Sequence, residues 1–359
     1  MNIIVSAVIL LICFYIISEI VDGPFIKSLD NISKWLKLPQ SVAGATLLSM
    51  GTSAPEISTA LIALFLEGAN PGTGVGTIVG SAIFQILVVI GFAALVKTSY
   101  LDWRPVIRDS IFYAFSVFLL IVFVQDNRFT MSEALILVGS YVGYLVVLLF
   151  WTKYVKEEEV DVPVEEEKAI KETTNPLVKV WRTVTFPIKK IIDLIPDVEK
   201  NQKWTVPVFI LSLIIIGYAC YWLVVASEAF AETLGIPSVI IALTILAGGS
   251  SVPEMISSAV VSKQGRGDMA IANAIGSNIF DILISLGLPV LIFTSMQGDL
   301  ENLGGANINS SIILLFFTLI MVISLLAAQK FKATRAFGAF LIFLYVLYVI
   351  AAYAGWIGS

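Results

Sequence analysis

The chain has 359 residues, of which 58% are hydrophobic and only 14% charged, with a formal net charge of −5. A soluble domain covers its core with about a quarter charged residues, so this composition excludes a water-soluble globular protein and puts the chain in a bilayer. There is no histidine, and Cys13 and Cys220 are the only cysteines. That excludes the usual zinc, copper and iron sites and the histidine-dependent catalytic pairs, so the chain reads as a non-enzyme without a cofactor.

Apolar runs of about 20 residues cross a hydrocarbon core of roughly 30 Å as helices, and the short alternating segments of a membrane barrel are not present. In chain order the runs lie near residues 2–22, 40–66, 72–96, 106–124, 131–151, 205–227, 236–262, 268–293, 309–328 and 335–356. The first is long enough to span and lacks both a basic leader and a small-residue cleavage site, so it reads as a retained helix. Between the fifth and sixth runs lies a linker over 152–203. It opens with the acidic clusters Glu157 to Glu159 and Glu165 to Glu167 and continues through Trp181, Arg182, Lys189 and Lys190. Its first half reads as a solvated charge-rich segment, and its second half suits an interfacial helix on anionic lipid headgroups. No basic face for nucleic acid exists, and no obligatory protein partner is evident.

Lysine and arginine alternate between loops. Lys27, Lys34 and Lys37 follow the first run, Lys97, Arg104 and Arg108 the third, Lys263 and Arg266 the seventh, and Lys330, Lys332 and Arg335 the ninth. Only Arg128, after the fourth run, breaks the pattern. The positive-inside rule therefore predicts cytoplasmic odd-numbered loops, a cytoplasmic linker and both termini outside.

The halves flanking the linker share a signature. Thr46-Leu-Leu-Ser-Met-Gly-Thr-Ser-Ala-Pro-Glu56 matches Thr244-Ile-Leu-Ala-Gly-Gly-Ser-Ser-Val-Pro-Glu254, and Gly80-Ser-Ala-Ile-Phe-Gln-Ile-Leu87 matches Gly276-Ser-Asn-Ile-Phe-Asp-Ile-Leu283. Each half has an odd number of runs, so the repeats face opposite ways across the membrane. The predicted fold is an all-α membrane protein of ten transmembrane helices in two inverted five-helix repeats, 1–151 and 204–359. Gly76 with Gly80 and Ala272 with Gly276 are small-residue steps that predict close helix packing.

Glu56, Glu254 and Asp281 lie deep within apolar runs that hold no lysine or arginine to pair with them. At about 2.5–3.5 kcal/mol each, such residues require a cation, a proton or water as compensation. Thr52 and Ser53 before Glu56, Ser81 before Gln85, Ser250 and Ser251 before Glu254, and Ser277 before Asp281 stand three or four residues apart, and so share a helix face with their partners. Pro55 and Pro253 each release the carbonyl four residues earlier, on Gly51 and Gly249. Oxygen donors alone suit hard cations.

These motifs, Gly51-Thr-Ser-Ala-Pro-Glu56 with Gly80-Ser-Ala-Ile-Phe-Gln85 and Gly249-Ser-Ser-Val-Pro-Glu254 with Gly276-Ser-Asn-Ile-Phe-Asp281, resemble the paired alpha repeats of the sodium/calcium exchanger family, within the calcium/cation antiporter superfamily. The resemblance implies a secondary antiporter of the plasma membrane that exchanges sodium for calcium. It implies Glu56 and Glu254 as central calcium ligands, with Thr52, Ser53, Ser81, Ser250, Ser251, Ser277 and Asp281 completing the ion sites and carbonyls near Ser49 and Ala247 joining them. It also implies alternating access, in which the first and sixth helices slide across the others. Val42-Ala-Gly-Ala-Thr46, Gly76-Thr-Ile-Val-Gly-Ser-Ala-Ile-Phe84 and Gly267-Asp-Met-Ala270 look most like the potassium-dependent branch, in which the acid matching Asp281 is associated with potassium co-transport. Gln85 departs from the family's Asn or Asp.

Three alternatives stand beside this reading. A calcium/proton antiporter could use the same carboxylates, although those relatives resemble a Gly-Asn-x-x-x-Glu pattern. Gly265-Arg-Gly-Asp268 fits the Gly-x-Gly-Asp pattern of an intramembrane aspartyl protease, but a loop turn accounts for it. A non-transporting scaffold would not require paired buried acids.

Overall fold

The computed structural model describes residues 3–65, 71–154, 186–233, 247–301 and 306–354. The acidic clusters of the linker, Trp181, Arg182 and the Thr244 end of the second signature lie outside the described residues.

The architecture is helical. In chain order the helices are α1 (Ile3–Leu36), α2 (residues 40–65), α3 (residues 71–96), α4 (Trp103–Val124), α5 (Met131–Tyr154), α6 (Thr205–Thr233), α7 (residues 247–263), α8 (Gly267–Gln297), α9 (Ala306–Ala328) and α10 (Arg335–Tyr353). Among the described residues, eight helices are long and apolar enough to cross a membrane. The signature helices α2 and α7 are each interrupted at a serine, Ser53 and Ser251. Helices α3 and α8 are the most enclosed. The outer helices turn apolar side chains such as Ile4, Leu11, Leu149, Phe317 and Phe343 outward, as a lipid-facing surface does.

Two boundaries differ from the sequence expectation. α1 does not stop at residue 22 but continues through a wide turn at Val21–Phe25, which contains Pro24, into Ile26–Leu36. The wide turn absorbs the proline's missing amide hydrogen, and the polar side of the extension finds partners. Asp30 pairs with Arg266 at 2.6 Å and Lys27 with Glu199 at 2.9 Å. Arg108, assigned from sequence to a loop, lies inside α4. It is buried because Asp109 accepts two of its bonds, at 2.7 and 2.9 Å, and the Trp151 ring lies 4.8 Å from its guanidinium carbon. Tyr144 of α5 also donates to Asp109, at 3.0 Å.

Two short antiparallel ribbons tie the halves together. β1 (Ser99–Tyr100), before α4, pairs with β4 (Lys332–Ala333), before α10. β2 (Arg128–Phe129), after α4, pairs with β3 (Leu300–Glu301), after α8. The 22 residues of α4 separate the ribbons by about 33 Å, so they sit at opposite ends of the helix stack. Gly265, in the left-handed region at φ 85°, and Asp268, which accepts the Asp102 amide at 2.9 Å, make the Gly-x-Gly-Asp stretch a turn and a loop clasp.

Close packing follows the second small-residue step but not all of the first. A Cβ on Gly276 would stand 2.6 Å from Ala45 Cα and 2.7 Å from Ser49 Oγ, and one on Gly44 would stand 3.2 Å from Ala272 Cβ. α8 therefore lies directly on the start of α2. Gly76, by contrast, faces no described atom within 4 Å. Overpacking costs about 1–3 kcal/mol. Gly276→Ala is thus expected to lower the unfolding temperature of the detergent-solubilised protein by several degrees, while Gly76→Ala leaves it nearly unchanged. Thermal unfolding followed by size-exclusion recovery checks both.

Candidate metal centre

Each half brings its acid to the centre by the same local device. In α2, Ser53 has φ −83° and ψ 12°, and in α7, Ser251 has φ −91° and ψ 13°, so the helical path flattens at matched positions. Two residues on, Pro55 and Pro253 withhold the amide hydrogens that the Gly51 and Gly249 carbonyls would receive in an unbroken helix. The helices resume at once and carry Glu56 and Glu254 in their first turns, where the positive end of the helix dipole favours a carboxylate. In α3 and α8 the matched residues Gln85 and Asp281 each open a wide π turn, Gln85–Val89 and Asp281–Leu286. Such single wide turns interrupt helices mostly at functional positions.

Side chains from all four helices converge. Ser81 and Ser251 both donate to Glu56 Oε1, at 3.2 and 3.1 Å, and their hydroxyls contact one another. Ser53 donates to Glu254 Oε1 at 3.2 Å. Gln85 donates to Asp281 Oδ2 at 2.9 Å and reaches the Ser81 and Ser251 hydroxyls at 3.3 and 3.4 Å. Ser285, one turn beyond Asp281, donates to Asp281 Oδ1 at 3.1 Å. All these residues are buried, Glu56 at 1% exposure and Glu254 and Asp281 at 0%. Among the described residues no third acidic, cysteine or histidine side chain joins two others to hold a metal. Ser81, Ser251 and Gln85 stand between Glu56 and Asp281, and Ser53 stands between Glu254 and Asp281.

Not every expected residue enters that network. The Thr52 hydroxyl bonds to the Leu48 carbonyl at 3.1 Å and that of Ser250 to the Ala247 carbonyl at 3.2 Å, while Thr52 also lies against Glu254 and Ser250 against Glu56. The Ser49 hydroxyl bridges the Gly44 carbonyl at 2.7 Å and the Asn273 carbonyl at 3.2 Å, joining α2 to α8. The carbonyls of Ser49 and Ala247 already accept the amides of Ser53 and Ser251, at 2.9 and 3.4 Å. The Ser277 hydroxyl is buried with no partner among the described residues. Ser285 escaped the sequence reading, although its four-residue offset from Asp281 is the spacing that selected the other hydroxyls.

One oxygen of each glutamate, Glu56 Oε2 and Glu254 Oε2, is buried without a hydrogen-bond partner among the described residues, as is Gln85 Oε1. Oxygens withdrawn from water and left unpaired are costly, and a hard cation is the ligand that such an all-oxygen set satisfies.

Spanning helices packed around a buried, oxygen-lined polar centre define an integral multi-pass membrane protein of the ion-transporter class. More particularly, the chain belongs to the sodium/calcium exchanger family: the family described as "Sodium/calcium exchanger protein" matches residues 6–150 and 204–354. Human sodium/potassium/calcium exchanger 4 is 26% identical over 480 aligned positions, covering 90% of this chain and 77% of that protein. Human sodium/potassium/calcium exchanger 5 is 29% identical over 359 positions, covering 82% and 71%. The fold is similar to that of the sodium-calcium exchanger NCX_Mj soaked with 2.5 mM Na+ and 0.1 mM Ca2+, with a TM-score of 0.69 at 22% identity, covering 98% of this chain and 99% of that one.

If the unpaired glutamate oxygens are ligands, Glu56→Gln and Glu254→Gln each remove one charged donor, an interaction of about 2 kcal/mol, and should weaken calcium binding by about 30-fold. Thr52→Ala, which removes a neutral hydroxyl shared between the Leu48 carbonyl and Glu254, should cost about fivefold or less. Calorimetric calcium titration of the purified protein measures both.

Proposed function

We propose that the chain is a secondary active antiporter that exchanges sodium for calcium by alternating access, with potassium co-transport coupled to Asp281. The observation that carries this reading is the meeting of Glu56 and Glu254, one from each half, with an unpartnered buried oxygen on each. Glu56, Glu254, Ser53, Ser81, Ser251 and Asp281 are the side chains that hold ions in this reading, with Gln85, Thr52, Ser250, Ser277 and the carbonyls near Ser49 and Ala247 around them. Two carboxylates can be balanced by one divalent ion or by two monovalent ions. The empty, charged site is too costly to close, so only a loaded carrier crosses, and that constraint couples the two fluxes.

The architecture in this reading is two inverted five-helix repeats, 1–151 and 204–359, joined by a linker over 152–203. The ribbons support it. They join the loop before α4 to the loop before α10, and the loop after α4 to the loop after α8, the same division into two sides that the lysine and arginine distribution gives. On that division both termini face outward and the linker is cytoplasmic, in the plasma membrane. α1 and α6, stacked on one another through Phe25 and Phe209 at 5.4 Å, form the moving body. Relatives named sodium/potassium/calcium exchangers support the potassium assignment.

The test is calcium uptake into proteoliposomes driven by an outward sodium gradient at clamped pH, with and without potassium. Uptake should follow sodium. In Asp281→Asn the sodium-driven flux should persist while stimulation by potassium disappears. Uptake that tracks only an imposed pH gradient would overturn the reading in favour of calcium/proton exchange.

A further inference from the structure

Two tyrosines near the centre take no part in the network described above. Tyr113 of α4 is 0% exposed and Tyr141 of α5 is 3% exposed, yet neither hydroxyl has a hydrogen-bond partner among the described residues. Both helices pack on the wide turn that Asp281 opens. Tyr141 also meets the ring of Phe280, the residue before Asp281, edge-on at 5.4 Å and 75°. On the same side, Gln85 Oε1 belongs to the amide that donates to Asp281, and Asn278 Oδ1 stands one turn before Asp281; both are buried and unpartnered. Buried phenols ordinarily find a partner, so several unpaired oxygens gathered around one acid mark a place for a ligand.

We propose that the hydroxyls of Tyr113 and Tyr141 are specificity-determining oxygens at the Asp281 end of the centre, which with Gln85 Oε1 complete the neutral coordination of a monovalent cation. The inference rests on the exchange reading above and adds a division of labour to it. Glu56 and Glu254 supply two carboxylates, which balance a divalent ion. Around Asp281 there is a single carboxylate with several neutral oxygens, which balances one positive charge and raises the ligand number without adding another. A divalent ion placed there would keep an uncompensated charge in a water-poor interior.

The experiment uses the purified full-length chain in proteoliposomes, comparing the parent with Tyr113→Phe, Tyr141→Phe and, as a control, Tyr348→Phe. Tyr348 also buries an unpartnered hydroxyl, but in α10, which packs on the Gln85 turn. Losing one neutral ligand should raise the apparent KM for sodium, and the potassium concentration giving half-stimulation, by about fivefold or more in the first two variants. The KM for calcium should stay within about twofold, and Tyr348→Phe should match the parent. Unchanged sodium and potassium dependence in both variants would overturn the proposal, as would an equal rise in the calcium KM, which marks a purely structural role. If the parent itself shows no sodium-driven calcium uptake, the exchange reading fails separately. Sodium-dependent thermal stabilisation of parent and variants then still decides the role of the phenols, because equal sodium affinity would overturn it. The two single variants are read independently, so a folding defect in one leaves the other as the test.

Discussion

Glu56 and Glu254 are deprived of water at the middle of a protein that is itself surrounded by hydrocarbon, and carboxylates so placed need either a counter-charge or donors. The chain brings no lysine or arginine to them; it brings the hydroxyls of Ser53, Ser81 and Ser251, which satisfy one oxygen of each and leave the other unpaired. Much of the surrounding structure answers to that arrangement. Ser53 and Ser251 bend the two signature helices so that each acid falls in a first turn. Gly276 and Gly44 let α8 and α2 approach closely enough for side chains of opposite halves to touch. Where a basic residue is buried, in α4, it is neutralised in place by its neighbour Asp109 and kept out of the centre.

The two halves repeat one another down to side-chain geometry. Tyr141 meets Phe280 edge-on at 5.4 Å, and Tyr345 meets Phe84 in the same way at 5.3 Å. Each phenylalanine directly precedes the residue that opens a wide turn, Asp281 or Gln85. The repetition fails at that residue itself: an amide stands in one half and an acid in the other, and they hydrogen-bond to each other at 2.9 Å. A second carboxylate in place of Gln85 would face Asp281 as a like charge in a buried site. The amide instead fixes the orientation of the acid while adding no charge of its own.

Spanning segments, the paired signatures and the identity of the buried acids were legible in the sequence because bilayer thickness and the cost of charge in hydrocarbon leave few alternatives. The fate of individual hydroxyls was not. Spacing places Thr52 and Ser53 beside Glu56 of their own helix, but only the backbone path decides that both turn toward Glu254 of the other half, Ser53 donating to it at 3.2 Å. The extension of α1 was hidden because Lys27 and Asp30 read as loop residues until their partners on other segments, Glu199 and Arg266, are known. At Gly76 a small residue at helical spacing predicts contact, while no described atom lies within 4 Å of the Cβ it would carry.

The ribbons bear on how the molecule comes to exist. Each pairs a strand from one half with a strand from the other, one ribbon at each end of α4. A half made alone therefore carries two unmatched strand edges, and the second half to emerge completes both. Each half thus supplies the pairing edges that the other lacks. The same ribbons join α3, α4, α5, α8, α9 and α10, whereas among the described residues α1, α2, α6 and α7 adjoin no strand of either. The two halves are thus fastened to one another by two-residue strands in loops, apart from the helices that carry Glu56 and Glu254.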